Sequence, residues 1–318
     1  MPDVKFMKLA GSVPVIDSSA IAEGVEDHLD DFRGQLGSWG FMAAEIPGIG
    51  ARVDALHQAF SAALASSAPR LADYSAAGLP QTESGGNHGF FGYGSEVPRL
   101  AQGTADPKEF IHVSGAMLDD TPAGARAMLT AFPDLAAQAG GLFETSFGIA
   151  RALGDVVRRV LPGNPPELDL SEHSSILRVI HYRDSGDREV LAHEHSGIQM
   201  LGVQLPASEG GLQYILNDGT WVEPVIQGTD VILCNIGRML TKASGQRVRP
   251  STHRVHRSSR AQGAERWSSV LFVHPEHAEK QWVVDDAGDT QFLAETWGQF
   301  VSKGLQDLGL RPHIGAGE

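Results

Sequence analysis

Apolar residues recur at helical spacing along the first half of the chain. A long pattern of this kind runs from Pro133 to Leu161, and short apolar runs at Val13–Asp17 and Trp39–Ala44 are typical of strands. Two shorter helical sets consist of Ile21, Val25, Leu29, Phe32 and Leu36, and of Val53, Leu56, Phe60 and Leu64. This periodicity predicts amphipathic helices that lie on another layer of structure.

The pattern changes after about residue 166. Short apolar or alternating runs, separated by turn residues, occupy Ile176–Tyr182, Ile198–Leu205, Leu212–Leu216, Trp221–Val225, Asp230–Ile236 and Trp267–Val273. Between two of them, Asn217-Asp-Gly219 is a strong hairpin signal. Regularly spaced short strands of this kind predict an antiparallel barrel or jelly roll rather than a parallel sheet.

Helical spacing returns near the C-terminus, through Phe292, Leu293, Trp297, Phe300, Val301, Leu305 and Leu308. No internal repeat or low-complexity linker divides the chain. We therefore predict a single domain over residues 1–318, mainly β with flanking helices. Its parts are a mixed helix and strand portion at 1–165, a β core at 166–280 and a C-terminal helical segment at 281–318.

Composition narrows the classes of function. The net charge of -14 disfavours nucleic acid and anionic membrane surfaces as partners. No stretch reaches the roughly 18 apolar residues of a membrane helix, and the N-terminus lacks the apolar core of a signal peptide, so we expect a cytoplasmic protein. The lone Cys234 excludes an internal disulfide and a Cys-rich metal site, and its apolar surroundings favour a small buried side chain.

Candidate chemistry centres on the heptapeptide Leu191-Ala-His-Glu-His-Ser-Gly197. On an extended segment, His193 and His195 project to one face while Glu194 points away, so both imidazoles could bind one metal ion. His253, in Ser-Thr-His-Arg-Val, is the best candidate for a third ligand. The chain has thirteen histidines, and an ordinary surface or core role is favoured for the others, among them His256, His274, His277 and His313.

Arg266-Trp-Ser268 begins the last β run and places a guanidinium and a hydroxyl on one face. The Arg fork suits the remote carboxylate of a dicarboxylate ligand, because it donates two parallel charge-assisted hydrogen bonds. On spacing alone, this role and that of a surface Arg are equally favoured.

The order of these segments resembles that of the isopenicillin N synthase-like branch of the Fe(II)/2-oxoglutarate-dependent dioxygenases, over nearly the whole chain. The matching segments are, in order, Val13-Pro-Val-Ile-Asp17, Gly40-Phe41, Gly89-Phe-Phe-Gly-Tyr93, Asp106-Pro-Lys-Glu-Phe110, Gly210-Gly-Leu-Gln213, Asp218-Gly219 with Trp221, Asn235-Ile-Gly237, Ser251-Thr-His-Arg-Val255 and Arg266-Trp-Ser268. One such match is weak evidence, whereas the ordered series is specific.

The resemblance implies a double-stranded β-helix, or jelly roll, that holds iron at His193 and His253. It implies 2-oxoglutarate as co-substrate, chelating the metal through its keto acid end, with its far carboxylate on Arg266 and Ser268. Tyr182 matches a position where the family often has a Tyr that helps to hold the co-substrate. Family members often close over their substrate with the segments that match Gly89–Tyr93 and the C-terminal helix.

The departure is at position 195, where the family pattern His-x-Asp becomes His193-Glu194-His195. Two His and one carboxylate are the usual ligands for this chemistry, and a third neutral imidazole removes one negative charge from the iron. Glu194 could substitute only if a bulge or turn rotated it inward, and we favour three His ligands.

Three hypotheses follow. The leading one is an oxidoreductase that uses Fe(II), dioxygen and 2-oxoglutarate to hydroxylate, desaturate or cyclise a small molecule. The second is a three-His iron dioxygenase that needs no 2-oxoglutarate, and the third is a ligand-binding relative without catalysis. The sequence favours an enzyme because the other ligands and the Arg-x-Ser motif remain. Neither the substrate nor the oligomeric state is predicted.

Overall fold

The computed structural model describes most of the chain. The described residues are 4–9, 13–75, 88–96, 105–118, 123–161, 165–183, 188–226, 228–259 and 265–307. The helices are α1 (Ile21–Glu26), α2 (Leu29–Trp39), α3 (Ile49–Ala65), α4 (Gly115–Leu118), α5 (Ala123–Ala131), α6 (Pro133–Val160), α7 (Arg238–Ala243) and α8 (Trp297–Asp307). The strands are β1 (Lys5–Lys8), β2 (Phe41–Glu45), β3 (Gly89–Phe91), β4 (Lys108–Ser114), β5 (Leu170–Tyr182), β6 (Val190–His195), β7 (Leu201–Gln204), β8 (Leu212–Ile215), β9 (Trp221–Val225), β10 (Val231–Ile236), β11 (His253–His256), β12 (Arg266–Pro275), β13 (Lys280–Val284) and β14 (Thr290–Thr296).

Two sheets form the β core. The larger has seven strands in the order β2-β10-β7-β12-β5-β4-β3, and the smaller has five in the order β1-β9-β8-β11-β6. Every pairing in them is antiparallel except that of β1 with β9. Strands of both sheets line one cavity, so the sheets face each other. The predicted jelly-roll core with flanking helices is confirmed.

Strand alternation gives the seven-stranded sheet two different faces. Along β5, Leu177 and Val179 are fully buried in the main apolar core with residues of α3 and α6, such as Phe60 and Leu153. The intervening side chains, including Arg178 and Tyr182, point into the cavity between the sheets. Because both faces of β5 are covered, its second half, Ile176–Tyr182, is mostly apolar, and of its polar residues Arg178 and Tyr182 lie on the cavity face.

Two N-terminal predictions need correction. Val13–Asp17 is not a strand: it forms one parallel bridge, in which the Ile16 N–H donates to the Glu45 carbonyl (2.8 Å) and the Glu45 N–H donates to the Pro14 carbonyl (2.8 Å). Pro14 has no N–H to extend the ladder. The helix predicted from Ile21 to Leu36 is two helices, because the His28 N–H bonds to the Val25 carbonyl, which tightens the turn and ends α1.

The helical segment predicted from Phe292 begins too early. Residues 280–296 form the hairpin of β13 and β14, and helix begins only at Trp297. The Asp285 carboxylate accepts the N–H groups of Ala287 and Asp289 (2.9 and 3.0 Å), and Gly288 has φ +89°. Asp285 and Gly288 are the turn signal that the helical spacing concealed. The predicted helices at Val53–Leu64 and Pro133–Leu161 are confirmed as α3 and α6.

In the part of the chain that the structure describes, no helix is long and apolar enough to span a membrane. Leu308 and His313 lie outside the described residues.

Candidate active site

The candidate site is the cavity between the two sheets. Strands β4, β5 and β12 supply one wall, and β6, β8 and β11 supply the opposite one. Phe91 of β3, and Val301 and Leu305 of α8, also line it. The two segments expected to close over substrate, Gly89–Tyr93 and the C-terminal helix, therefore both contribute to its wall.

His195 and His253 meet in this cavity. They are directly opposite each other in the ladder of β6 and β11, and their ring centroids are 4.4 Å apart. The Nδ1 of His195 bonds to the His193 carbonyl (2.6 Å), and that of His253 to the Ser251 carbonyl (2.8 Å). Because a carbonyl only accepts, each Nδ1 carries the proton and each Nε2 keeps its lone pair. Burial lowers the pKa of His195 to about 4 and that of His253 to about 3, so both rings are neutral at pH 7.

His193 does not share their position. On β11 the register advances two residues from Val255 to His253, whereas on β6 it advances three from Ala192 to His195. This bulge breaks the alternation on which the shared face of His193 and His195 was predicted. Ala192 and His195 line the cavity, while His193 is not among the lining residues. Its Nδ1 bonds to the Asp106 carboxylate at 2.9 Å, and Asp106 does line the cavity.

Arg266 lies on β12, at the cavity face, and is 5% exposed, so it is not a surface residue. Its Nε donates to the Glu209 and Gly210 carbonyls (3.2 and 2.9 Å). Its Nη1 is buried and has no hydrogen-bond partner among the described residues. Burial lowers the pKa of Arg266, and an unpaired buried guanidinium nitrogen is costly, which favours an anionic ligand here.

The two other residues predicted to hold the co-substrate line the same cavity as Arg266. Ser268 is buried, and its hydroxyl accepts a hydrogen bond from the Gln204 amide (3.1 Å). Tyr182 is paired with Arg266 across β5 and β12, and the guanidinium carbon lies 5.5 Å from its ring centroid. Arg266, Ser268 and Tyr182 are therefore brought together, as the resemblance implies.

Sequence reasoning missed a charged group on the same wall. Lys108 forms ion pairs with Glu96 and with Asp106 (3.0 Å to Asp106), and Arg178 pairs with Glu96 (3.0 Å). Burial alone would raise the pKa of Glu96, but the charges of Arg178 and Lys108 hold it below its usual range. These residues carry two positive and two negative charges, so the group is neutral as a whole.

A signal for this group was present in the sequence. In Lys108-Glu-Phe-Ile-His-Val-Ser114, which forms β4, residues 108, 110 and 112 alternate toward the cavity. The Gly, Pro and Ser content of the preceding stretch concealed this strand. His274 and His277, for which an ordinary role was favoured, also line the cavity.

The donor set fits a metal ion with imidazole ligands. His193, His195 and His253 all have Nδ1 bonded to an oxygen acceptor, which leaves each Nε2 lone pair for a metal. Among the described residues, no three His, Cys, Asp or Glu side chains are already grouped to hold a metal ion. His195 and His253 would supply two adjacent ligands, and His193 would have to rotate toward them to become the third. The free Nη1 of Arg266 fits the far carboxylate of 2-oxoglutarate.

Comparison with known proteins agrees with this chemistry. Residues 173–275 match the model of the 2OG-Fe(II) oxygenase superfamily. Among curated proteins, none matches the sequence. The fold is similar to that of a full-length Neurospora crassa protein solved in complex with alpha-ketoglutarate (TM-score 0.69, 18% identity, 93% of this chain and 96% of that chain).

Two bacterial structures are also similar. They are a putative 2OG-Fe(II) oxygenase family protein from Caulobacter crescentus (TM-score 0.68, 21% identity, 93% of this chain and 99% of that one) and a putative oxygenase from Shewanella oneidensis (TM-score 0.63, 23% identity, 94% and 100%). At these identities the likeness shows the fold. The family match covers β5 to β12, which carry His193, His195, His253, Arg266 and Ser268. Residues 173–275 thus match the 2OG-Fe(II) oxygenase superfamily, and the chain has the fold of these solved oxygenases.

Proposed function

We propose that this protein couples the decarboxylation of 2-oxoglutarate and the activation of dioxygen at Fe(II) to the oxidation of a small organic molecule. The observation that carries the proposal is the buried Nη1 of Arg266, which has no partner among the described residues and lies in the cavity that contains His195 and His253. Membership of the isopenicillin N synthase-like branch and a cytoplasmic location stay predictions.

The residues have distinct roles in this proposal. His195 and His253, with His193 as the third ligand, hold the iron, which supplies the redox chemistry and orients co-substrate and oxygen. Arg266 and Ser268 bind the far carboxylate of 2-oxoglutarate, and Tyr182 packs beside the guanidinium. Phe91, Val301 and Leu305 limit the access of water to the cavity. Substrates of the size of thymine, with which the Neurospora crassa protein has also been solved, are of the expected class.

Anaerobic titration of the Fe(II) protein with 2-oxoglutarate tests the proposal. Saturable binding and a visible charge-transfer band are expected, and Arg266→Ala should abolish both while Arg183→Ala, which removes an Arg outside the cavity, leaves them unchanged. Absence of binding to the wild-type protein would defeat the proposal.

The position of His195 beside His253 in the cavity favours one second candidate, a three-His oxygenase that needs no 2-oxoglutarate. In that case Arg266→Ala retains substrate-dependent oxygen consumption. A protein that binds iron in stoichiometric amount and consumes oxygen is not the non-catalytic relative.

A further inference from the structure

Lys108, Glu96, Asp106 and Arg178 form the charged group on the wall opposite His195 and His253. Within this group, one guanidinium nitrogen of Arg178 is available to donate a hydrogen bond. Arg178 donates from Nε to His112 Nε2 (2.7 Å) and from Nη1 to the Glu96 carboxylate (3.0 Å). Its guanidinium carbon lies 4.3 Å from the Phe110 ring centroid and 5.2 Å from that of Phe272, so the two rings restrain it. Its hydrogen bonds to described residues are made by Nε and Nη1, so Nη2 can donate to a ligand.

Arg178 is too far from the co-substrate position to serve it. Tyr182, opposite Arg266 in the ladder, is four residues further along β5, a distance of about 13 Å at the usual strand rise. A five-carbon dicarboxylate held at Arg266 does not reach that far. Arg178 does, however, line the same cavity as His195, and the two residues lie on strands of the two facing sheets. It therefore faces the metal side of the cavity, where a substrate must lie.

Charge decides which acceptor suits this donor. Arg178 is already compensated by Glu96, and Lys108 by Glu96 and Asp106. A carboxylate placed on Nη2 would be a third anion beside two buried ones, and this group has no further side-chain cation to pair with it. A neutral carbonyl oxygen accepts the same hydrogen bond without that repulsion.

The surroundings of Arg178 suit a flat, apolar body. Phe91 and Phe110 stack with centroids 4.5 Å apart and planes 11° apart, and both line the cavity with Phe272. Resting on the proposed function, we infer that the substrate is an uncharged ring compound with a carbonyl oxygen, which Arg178 Nη2 binds and orients toward the metal. Arg178 is thus a residue that determines specificity.

Matched pairs of amides and carboxylates test this inference. Benzamide and benzoate, phenylacetamide and phenylacetate, and indole-3-acetamide and indole-3-acetate differ mainly in charge at pH 7. Each would be titrated calorimetrically into wild-type protein that holds Fe(II) and 2-oxoglutarate under anaerobic conditions. At least one amide should bind, roughly 10-fold or more tightly than its carboxylate. A carboxylate that binds as tightly as its amide, or binding of no amide, would overturn the inference.

Variants separate the contact from the fold. Arg178→Met should weaken amide binding by roughly 10- to 100-fold, the range for one hydrogen bond to a charged group, with little change in 2-oxoglutarate affinity. Arg183→Met is the matched control, because that side chain pairs with Glu109 and is 52% exposed. Equal effects of the two variants would contradict the role of Arg178.

Glu96→Gln gives a second, independent readout. Removal of one anion should shift the binding preference toward the carboxylate member of each pair. An unchanged preference would contradict the claim that the buried anions disfavour a carboxylate ligand at Arg178. Binding of 2-oxoglutarate is measured in every sample. Its failure in the wild-type protein refutes the proposed function, whereas normal 2-oxoglutarate binding with the wrong ligand preference refutes only this inference.

Discussion

Asp106→Asn tests whether His193 is a metal ligand. Asp106 is 2% exposed, and its Oδ1 lies 2.9 Å from His193 Nδ1. A carboxylate in this position fixes the tautomer and orientation of a ligating imidazole and increases its basicity. Asn keeps the size of the side chain and removes the charge. If Nε2 of His193 binds the metal, the substitution should therefore weaken metal binding without changing the fold.

The expected loss of metal affinity follows from the known contribution of carboxylate partners to metal-bound His residues. Loss of a carboxylate partner of a metal-bound His typically reduces metal affinity by about 10- to 100-fold, or about 1.4 to 2.7 kcal/mol. Co(II) is a suitable probe, because its absorption reports the number and type of ligands. The dissociation constant would be measured by competition with a chelator, in wild-type and variant protein of equal thermal stability.

Strand β4 offers a matched control on its other face. Glu109 is also 2% exposed, and its carboxylate lies 3.0 Å from His181 Nδ1, but neither residue lines the cavity. Glu109→Gln should leave the Co(II) dissociation constant unchanged. Equal Co(II) affinities of wild type and Asp106→Asn would refute the assignment of His193 as a ligand, and equal losses in both variants would show a general effect of removing a buried carboxylate.

Three further predictions concern the co-substrate, pH and the core. Arg266→Gln should raise the 2-oxoglutarate dissociation constant by at least about 30-fold in a calorimetric titration, because truncation of one partner of a buried charge pair costs about 2 kcal/mol or more. Burial lowers the pKa of His57 to about 4, so as pH falls below 6.5 the unfolded chain binds a proton at this residue that the folded chain does not. In urea unfolding, the loss of stability between pH 7 and pH 4 should be about 3 kcal/mol smaller in His57→Gln than in the wild type. Leu271 is fully buried in the core, so Leu271→Ala should lower the free energy of unfolding by about 2 to 5 kcal/mol. Phe292 is 69% exposed, so Phe292→Ala should change it by about 0.5 kcal/mol or less.

Sequence periodicity predicted the elements that have one buried face and one exposed face along their length. Helix α6 contributes buried apolar residues to the main core from Leu135 to Val157, so its apolar stripe is visible in the sequence. Strand β4 was missed because both its faces are buried and its cavity face carries Lys108 and His112, which a single-sequence pattern assigns to the surface. The ion pairs with Glu96 and Asp106 that permit this burial join segments that sequence periodicity does not relate.

The same limit applies to the metal ligands. Alternation placed His193 and His195 on one face, but a bulge is set by the pairing of β6 with β11, and nothing local to Leu191–Gly197 indicates it. Arg266, Ser268 and Tyr182, by contrast, lie on two regular strands in direct register, and there alternation holds. Alternation therefore predicted correctly which side chains share a face of a strand where the strand pairing is regular, as in β5 and β12, and failed at the bulge between β6 and β11.

Position 195 is a His where the resembled family has an Asp, and this difference changes the charge balance of the whole cavity. Three imidazole ligands would leave the full charge of a divalent iron uncompensated by the protein ligands, whereas an Asp at position 195 would offset one unit. Two carboxylates remain close: Asp106 is bonded to His193, and Glu96 is near enough to His195 to affect its pKa. Lys108 pairs with both carboxylates and Arg178 pairs with Glu96, so two positive charges balance the two negative ones. If iron binds to the three His residues as proposed, the nearest carboxylates would lie one residue further from the metal, and the pairing of Lys108 with Asp106 and Glu96 would decide how much of their charge the iron experiences.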